Sequence, residues 1–338
     1  MNFSKDISLK KLNTFGVDVR CKLFHTVSCV EEAKKIIISK EFNENKYLIL
    51  GGGSNLLFIK NFDGLIIKNE IKGFEILHED KYSKTIKVGA GENWHKLVLW
   101  SVKSGLSGLE NMALIPGNVG AAPIQNIGAY GSEVKDVIQQ VRLLEIDNGN
   151  ELTLNNENCE FEYRNSIFKK NLKNKVIITH VSFKLNKQPN NNTEYGDIAK
   201  EIKNMGEEVS TESICNAVIK IRERKLPNPE DIGNCGSFFK NPIISNEKFH
   251  RLVKKYPGIV GYELSDTETK IAAGWLIEKC GWKGYRTGDV GVHEKQALVL
   301  VNYKNGTGEE IISLAGKIQK SVHEKFDIQI LPEVNIIG

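Results

Sequence analysis

The sequence predicts an α+β fold with mixed sheets, divided into two or three domains. Three observations carry that expectation. At 338 residues the chain is longer than one hydrophobic core usually organises. Its first part reads as strand and helix units built around short buried-type runs such as Tyr47-Leu-Ile-Leu50. Its middle reads as alternating segments at 137–147, 151–154 and 176–185, the pattern of antiparallel strands.

Taken in order, Phe24 to Val27 is predicted as a strand, and Ser28-x-x-Glu31 as a capping box opening a helix through Ile36–Ile38. Tyr47–Leu50 runs straight into Gly51-Gly-Gly-Ser-Asn55, and strands follow at 65–68 and 85–89. A helix is expected over Trp94–Ser104 with Gly105 just past its end. The stretch 186–212 reads as an exposed connection. A helix over 211–224 carries Ile214, Val218 and Ile221 on one face and stops before Leu226-Pro-Asn-Pro229. Beyond it are predicted a helix at 269–280 closed by Gly281, a strand at 297–302, a helix at 307–325 and a last strand at 327–330.

Composition narrows the function classes. The chain is 40% hydrophobic and 26% charged, with a net charge of +4 spread along its length. No basic cluster is interleaved with aromatics, so no nucleic-acid partner is expected, and IKIRERK at 219–225 reads as the solvated end of a helix. The N-terminal residues lack a signal-peptide core, and no apolar run reaches membrane-spanning length. Six cysteines (Cys21, Cys29, Cys159, Cys215, Cys235, Cys280) show no C-x-x-C spacing. That points away from zinc, from any metal and from a disulfide framework, and toward a reduced cytoplasm.

The most unusual segment is Asn111–Gly131. It holds four glycines, two prolines and no charged side chain. Such a loop exposes backbone N–H and C=O groups and, through Gln125 and Asn126, neutral amides. It can lie flat against a polar ligand because glycine removes the Cβ that would hold the ligand away. The glycines after Leu50 invite a dinucleotide reading, but position 56 is leucine and no helix follows, so a Rossmann fingerprint is absent. What remains is either a plain tight turn or an anion nest with Ser54 and Asn55 as extra partners. Together the two segments suggest one diphosphate-containing cofactor cradled from both sides.

These residues carry a resemblance. Gly51-Gly-Gly-Ser-Asn-Leu-Leu-Phe58, Gly89-Ala-Gly-Glu-Asn-Trp94, Ile115-Pro-Gly-Asn-Val-Gly120 and Pro123–Gly131 resemble the UDP-N-acetylenolpyruvoylglucosamine reductase family. The likeness continues, in order, through Tyr163-Arg-Asn-Ser-Ile-Phe168, Lys225-Leu-Pro227, Gly233–Pro242, Ala272–Ile277, Gln296–Leu300 and Pro332-Glu-Val334. It implies a two-lobed FAD-binding fold of the vanillyl-alcohol oxidase type plus a C-terminal α+β substrate domain. The expected divisions are 1–69 and 70–212 for the flavin lobes, 213–326 for the substrate domain, and 327–338 returning to the first lobe. FAD is expected to bind non-covalently through Gly51, Gly52, Gly53, Ser54, Asn55, Gly117, Gly120, Ala121, Ala122, Gln125, Asn126, Ile127, Gly128, Tyr130 and Gly131. Ser54 stands where more distant relatives carry a flavin-linked histidine. Ala121-Ala122 replaces hydroxyl residues common in the family, a departure that bears on flavin affinity.

The resemblance also assigns the chemistry. The implied reaction reduces the enolpyruvyl ether of a UDP-sugar to UDP-N-acetylmuramate for the bacterial cell wall, with NADPH as co-substrate in a ping-pong cycle. By spacing alone Arg164 reads first as a surface salt bridge with Glu160 or Glu162; by resemblance it matches the arginine that stabilises the enolate. By spacing alone Ser237 in Gly-Ser-Phe-Phe reads first as a serine satisfied by backbone in a turn, though its neighbours could hold a desolvated hydroxyl; by resemblance it matches the proton donor. Glu333, otherwise a solvated charge near the chain end, is placed with them as the third catalytic group. Tyr163, Tyr195, Lys225 and Asn241 match substrate-binding positions, the last three at the diphosphate, and Gln296 one near the uridine. A segment containing Tyr195 implies the subtype with a tyrosine loop over the substrate. The expected setting is a cytoplasmic monomer without membrane partners. The alternatives are another FAD-linked sugar or hydroxy-acid oxidase of the same fold, or a non-catalytic nucleotide-sugar binder.

Overall fold

A computed structural model describes residues 2–338. The chain forms two compact units. One comprises the chain up to Ile7 with Cys21–Gly53 and Asp63–Arg224; the other comprises Ser8–Arg20, Ser54–Phe62 and Lys225–Gly338.

The first unit holds a four-stranded sheet in the order Ser4–Ser8, Arg20–Val27, Phe62–Asn69, Tyr47–Leu50. Tyr47–Leu50, half-buried except for the buried Leu50, runs parallel to its neighbour with Tyr47 opposite Leu65. The first helix, Val30–Ile37, buries Ala33, Ile36 and Ile37. Its cap differs from expectation: Ser28 N and Oγ both donate to Glu32, at 2.8 and 2.7 Å, rather than to Glu31. The helix begins one residue later than the motif suggests, so the reaching carboxylate shifts with it.

A five-stranded antiparallel sheet follows, ordered Glu151–Asn155, Ile138–Glu145, Val176–Asn186, Ser83–Gly89, Phe74–Glu79. The edge strand Phe74–Glu79 was not expected. All six of its residues are exposed, so no buried alternation marks it in the sequence. Helix Trp94–Lys103 starts at Asn93, whose side chain accepts the Lys96 N–H, and Gly105 takes φ +69° beyond its end. Its first residue, Trp94, is buried edge-on against Phe183 with ring centres 6.0 Å apart. Within the supposed exposed connection lies a further helix, Ile198–Met205, ended by Gly206 in the left-handed region. Helix Thr211–Lys225 buries Ile214, Val218 and Ile221 completely. Each such side chain contributes about 1.5–3 kcal/mol.

The second unit is built around helix Gly308–Phe326, opened by a capping box between Thr307 and Glu310. One three-stranded antiparallel sheet runs Arg286–Thr287, Val290–Val292, Leu300–Asn302; another runs Ile243–Ser245, Glu268–Ile271, Gly261–Glu263. The helix expected at 269–280 is therefore a strand followed by a shorter helix, Ala273–Lys279. The expected last strand at 327–330 is not one. Asp327 ends the long helix in the left-handed conformation, and the final strand is Asn335–Ile337, parallel to Leu56–Phe58. All six cysteines are free thiols; burial pushes Cys159 and Cys215 up to about 12. Among the described residues no helix is long and apolar enough to cross a membrane, and no cluster of acidic, histidine or cysteine side chains could hold a metal ion.

Candidate active site

In the first unit the two glycine-rich segments meet. Gly52 lies against the second segment so closely that an added Cβ would sit 2.7 Å from Gly117 Cα and 3.2 Å from Asn118 Oδ1. At Gly120 the added atom would be 2.5 Å from Ala90 Cβ. No larger residue fits either place without moving backbone. The Lys68 ammonium donates to the Gly51 carbonyl and pairs with Glu70 at 3.1 Å. Burial alone would raise the Glu70 pKa, but hydrogen bonds from Lys72 and Lys68 outweigh it and hold the carboxyl below its ordinary value. The carboxylate stays ionised beside the turn.

Around this contact the uncharged loop is tied down by side chains from outside it and by its own asparagines. Trp94 Nε1 donates to Met112 O at 3.0 Å, and Leu114 N–H donates to His95 Nδ1 at 3.0 Å. Asn111 holds Tyr130 O and Asn192 O, each at 3.0 Å, while Asn118 reaches Gly91 O at 3.1 Å. Asn126 is fully buried. Its amide donates to Glu133 and to Glu162 O, and accepts from Lys135 N. That side chain braces the loop, and the Asn126 backbone is engaged as well, its N–H donating to Pro123 O at 3.4 Å. Leu114, Asn126 and Tyr130 have φ of +58°, +45° and +49°. Such left-handed non-glycine residues persist only where the surroundings enforce them, at about 1–3 kcal/mol each.

Arg164, itself at φ +53°, donates from Nη2 to Gly128 O at 2.6 Å and from Nη1 to Asn126 O at 3.2 Å. Its guanidinium lies 5.4 Å from the Tyr163 ring centre. Glu162 pairs with Lys170 at 2.7 Å, whose hydrogen bond lowers its pKa. Tyr195 stands edge-on to Tyr130 with ring centres 6.4 Å apart, close to Gly131.

Sequence reasoning missed Arg222. The basic run at 219–225 was expected to be solvated, yet Arg222 Nε is buried without a hydrogen-bond partner. Burial pulls its pKa down and the Tyr130 hydroxyl partly opposes that, leaving a cation beside the loop. The signal was present, since Arg222 follows Val218 by four residues and falls on the buried face of the helix. His95 was missed too, because nothing in the sequence reveals that its ring reaches Leu114.

In the second unit the residues that the resemblance assigns to the chemistry ride on a backbone ladder. Asn234 accepts from Gly236 N and donates to Pro227 O and Ile232 O, shaping the turn before Ser237. Ser237 bridges to Val299, Phe238 N donates to Leu298 O, and on the other side Phe238 O accepts from Glu333 N at 2.8 Å. Ser237 and Glu333 are thereby brought to neighbouring positions. Phe238 and Phe239 turn into the core, so they do not wall in the hydroxyl; Ser237 is exposed, against the expectation of a desolvated pocket. Burial and the nearby Glu333 keep the Cys235 thiol protonated. Asn241 Oδ1 accepts from Ala273 N at the start of helix Ala273–Lys279, and Gln296 Oε1 from Leu298 N. Lys225 begins the last segment of this unit, and Asn55 is tied to Asn335, whose backbone and side-chain N–H groups both donate to Asn55 O.

The glycine cradle and the orphaned Arg222 Nε fit a flat, diphosphate-bearing cofactor. Residues 22–155 match the family model described as an FAD binding domain. The fold and the site thus define an FAD-dependent oxidoreductase of the α+β class. Residues 228–337 match the C-terminal domain of UDP-N-acetylenolpyruvoylglucosamine reductase. A reductase of that name from Flavobacterium johnsoniae is 49% identical over 339 residues, covering 100% of both chains; one from Amoebophilus asiaticus is 48% identical over 338 residues with the same coverage. The chain belongs to the UDP-N-acetylenolpyruvoylglucosamine reductase family. The crystal structure of that enzyme from Thermus caldophilus has the same fold, with a TM-score of 0.70 at 24% identity over 100% of each chain.

Proposed function

We infer that the chain reduces the enolpyruvyl ether of UDP-N-acetylglucosamine to UDP-N-acetylmuramate, with NADPH as co-substrate. The observation that carries this is the full-length identity of 49% to a relative bearing that name. FAD, when bound, supplies the hydride taken from NADPH. The backbone of Gly51–Gly53 and of the loop Gly117–Gly131 would hold it, with Arg222 as the cation on that side.

The remaining chemistry falls to the protein. Arg164, as a permanent cation, favours charge developing on the substrate carboxylate while fixing the loop carbonyls at 126 and 128. Ser237 donates its hydroxyl proton to the carbanion carbon, and Glu333 beside it assists. The exposure of Ser237 means that water must be displaced by the substrate itself. Tyr195, Lys225 and Asn241 receive the diphosphate, Gln296 the uridine, and Tyr163 stacks behind Arg164. The division into flavin lobes 1–69 and 70–212 and substrate domain 213–326, with 327–338 returning, belongs to the same proposal. Its support is the parallel pairing of Asn335–Ile337 with Leu56–Phe58. The enzyme is proposed to act as a cytoplasmic monomer.

The test is the visible spectrum of the purified protein. Flavin bands should pass to the supernatant after acid precipitation, bleach with NADPH, and return on adding the enolpyruvyl UDP-sugar under nitrogen. A colourless protein that FAD cannot reconstitute would sink the proposal.

A further inference from the structure

One contact at the start of the uncharged loop is sensitive to a single proton. The Leu114 N–H can only donate, so the His95 Nδ1 it meets at 3.0 Å must carry a lone pair. The neutral ring then bears its proton on Nε2. Leu114 is held at φ +58°, an uncommon conformation for leucine, two residues before Pro116-Gly117. Gly117 is the residue that meets Gly52. His95 itself is fixed, because it follows Trp94, whose ring is buried and whose Nε1 anchors Met112. A rigid helix end thus grips both Met112 and Leu114.

We propose that His95 is a positioning residue for flavin binding: with Nδ1 unprotonated it holds Leu114 and the loop behind it in the binding shape, and protonation of Nδ1 loosens FAD. This rests on the reading of the loop at 111–131 as the flavin cradle. Protonation would set an N–H against an N–H and leave the Leu114 donor unpaired. It would also place a second cation near Arg222.

The charges facing the ring agree in direction. Burial lowers the His95 pKa most, Arg222 lowers it further, and Glu223 opposes them. Glu110, on the turn packed against this helix, is already engaged by Ser107 Oγ and Gly108 N at 2.6 Å each. Glu92, just before the helix, accepts from Gly73 N. The neutral ring therefore belongs to the loop-formed state. Flavin affinity should be constant above the ordinary histidine value near 6.5 and fall as pH drops through the lowered pKa below it.

The test measures the FAD dissociation constant of reconstituted protein by flavin fluorescence from pH 8.5 to 5. In the wild type it should be flat above pH 7 and rise by up to about tenfold per pH unit in the acid range, as one linked proton dictates. His95→Asn keeps an acceptor oxygen at the δ position and does not titrate there, so its FAD affinity at pH 8 should stay within about threefold of wild type. Its acid rise should disappear. An unchanged acid rise in His95→Asn, or a wild type flat to pH 5, would overturn the proposal. In the apoprotein, 15N shifts of His95 at pH 8 should place the proton on Nε2; finding it on Nδ1 would overturn it without any variant. Gly52→Val separates the two ideas: undiminished FAD binding there would sink the cradle reading, not merely the role of His95.

Discussion

The two units hold their functional residues in opposite ways. In the first, the loop at 111–131 is shaped by side chains reaching in from elsewhere: Trp94, His95 and Arg164 grip its carbonyl and amide groups. In the second, Ser237 and Glu333 are placed by backbone pairing, through Val299 and Phe238. The difference teaches where a substitution should be felt. Changing a side chain around the loop alters both shape and ligand binding. On the proposed assignment, changing Ser237 should alter chemistry and leave the frame standing.

The largest effect that would sharpen this contrast is expected at Ser237. Ser237→Ala should slow reoxidation of the reduced protein by the enolpyruvyl UDP-sugar by about 10²–10⁴-fold, while FAD affinity and bleaching by NADPH stay within about twofold. At Arg164 the contrast predicts a mixed phenotype. Arg164→Lys keeps the charge but cannot reach both carbonyls, so FAD affinity and sugar-dependent turnover should each fall about tenfold or more by titration and stopped-flow measurement. Loss of turnover with unaltered FAD binding would show that its loop contacts are incidental.

A smaller and purely structural effect is expected from Asn126→Ala. It strips partners from Lys135 N and Glu133 in a buried place, and should lower unfolding free energy by about 1–3 kcal/mol in a urea titration, with weakened FAD binding. If stability falls and FAD affinity does not, the loop is braced but does not hold flavin. Smallest is Gln296→Ala, whose amide makes only a 3.4 Å bond within its own turn. The melting temperature should stay within about 2 °C while the Michaelis constant for the UDP-sugar rises. A large melting shift would place Gln296 in the frame after all.

Much of the first unit was legible in the sequence because its residues depart from the ordinary. A run from 111 to 131 without one charge, and Gly51–Gly53 after an apolar strand, announce close backbone approach, and Gly52 against Gly117 is that approach. The second unit was less legible. Glu268–Ile271 becomes a strand only because it pairs with Ile243–Ser245 and Gly261–Glu263, so tertiary partners override local preference there. Ile328 and Ile330 alternate like a strand and are buried like one, yet are not part of one. Helix Ile198–Met205 was hidden by the polar residues around it, although Ile198 and Ile202 stand four apart. Ser237 and Glu333 carry no compositional signature; the family resemblance alone singles them out, and the ladder that joins them depends on residues nearly a hundred positions apart. Arg222 was misjudged because a charge near a helix end usually faces water, and here the helical period turns it inward.

The most direct measurement follows the two half-reactions of Ser237→Ala by rapid mixing under nitrogen. The protein is first reduced with NADPH, and the enolpyruvyl UDP-sugar is then added. Normal bleaching of the flavin band followed by failure of its return is the predicted result. Equal loss of both steps, or a return at the wild-type rate, would contradict the proposed role of Ser237 as proton donor on a backbone-built frame.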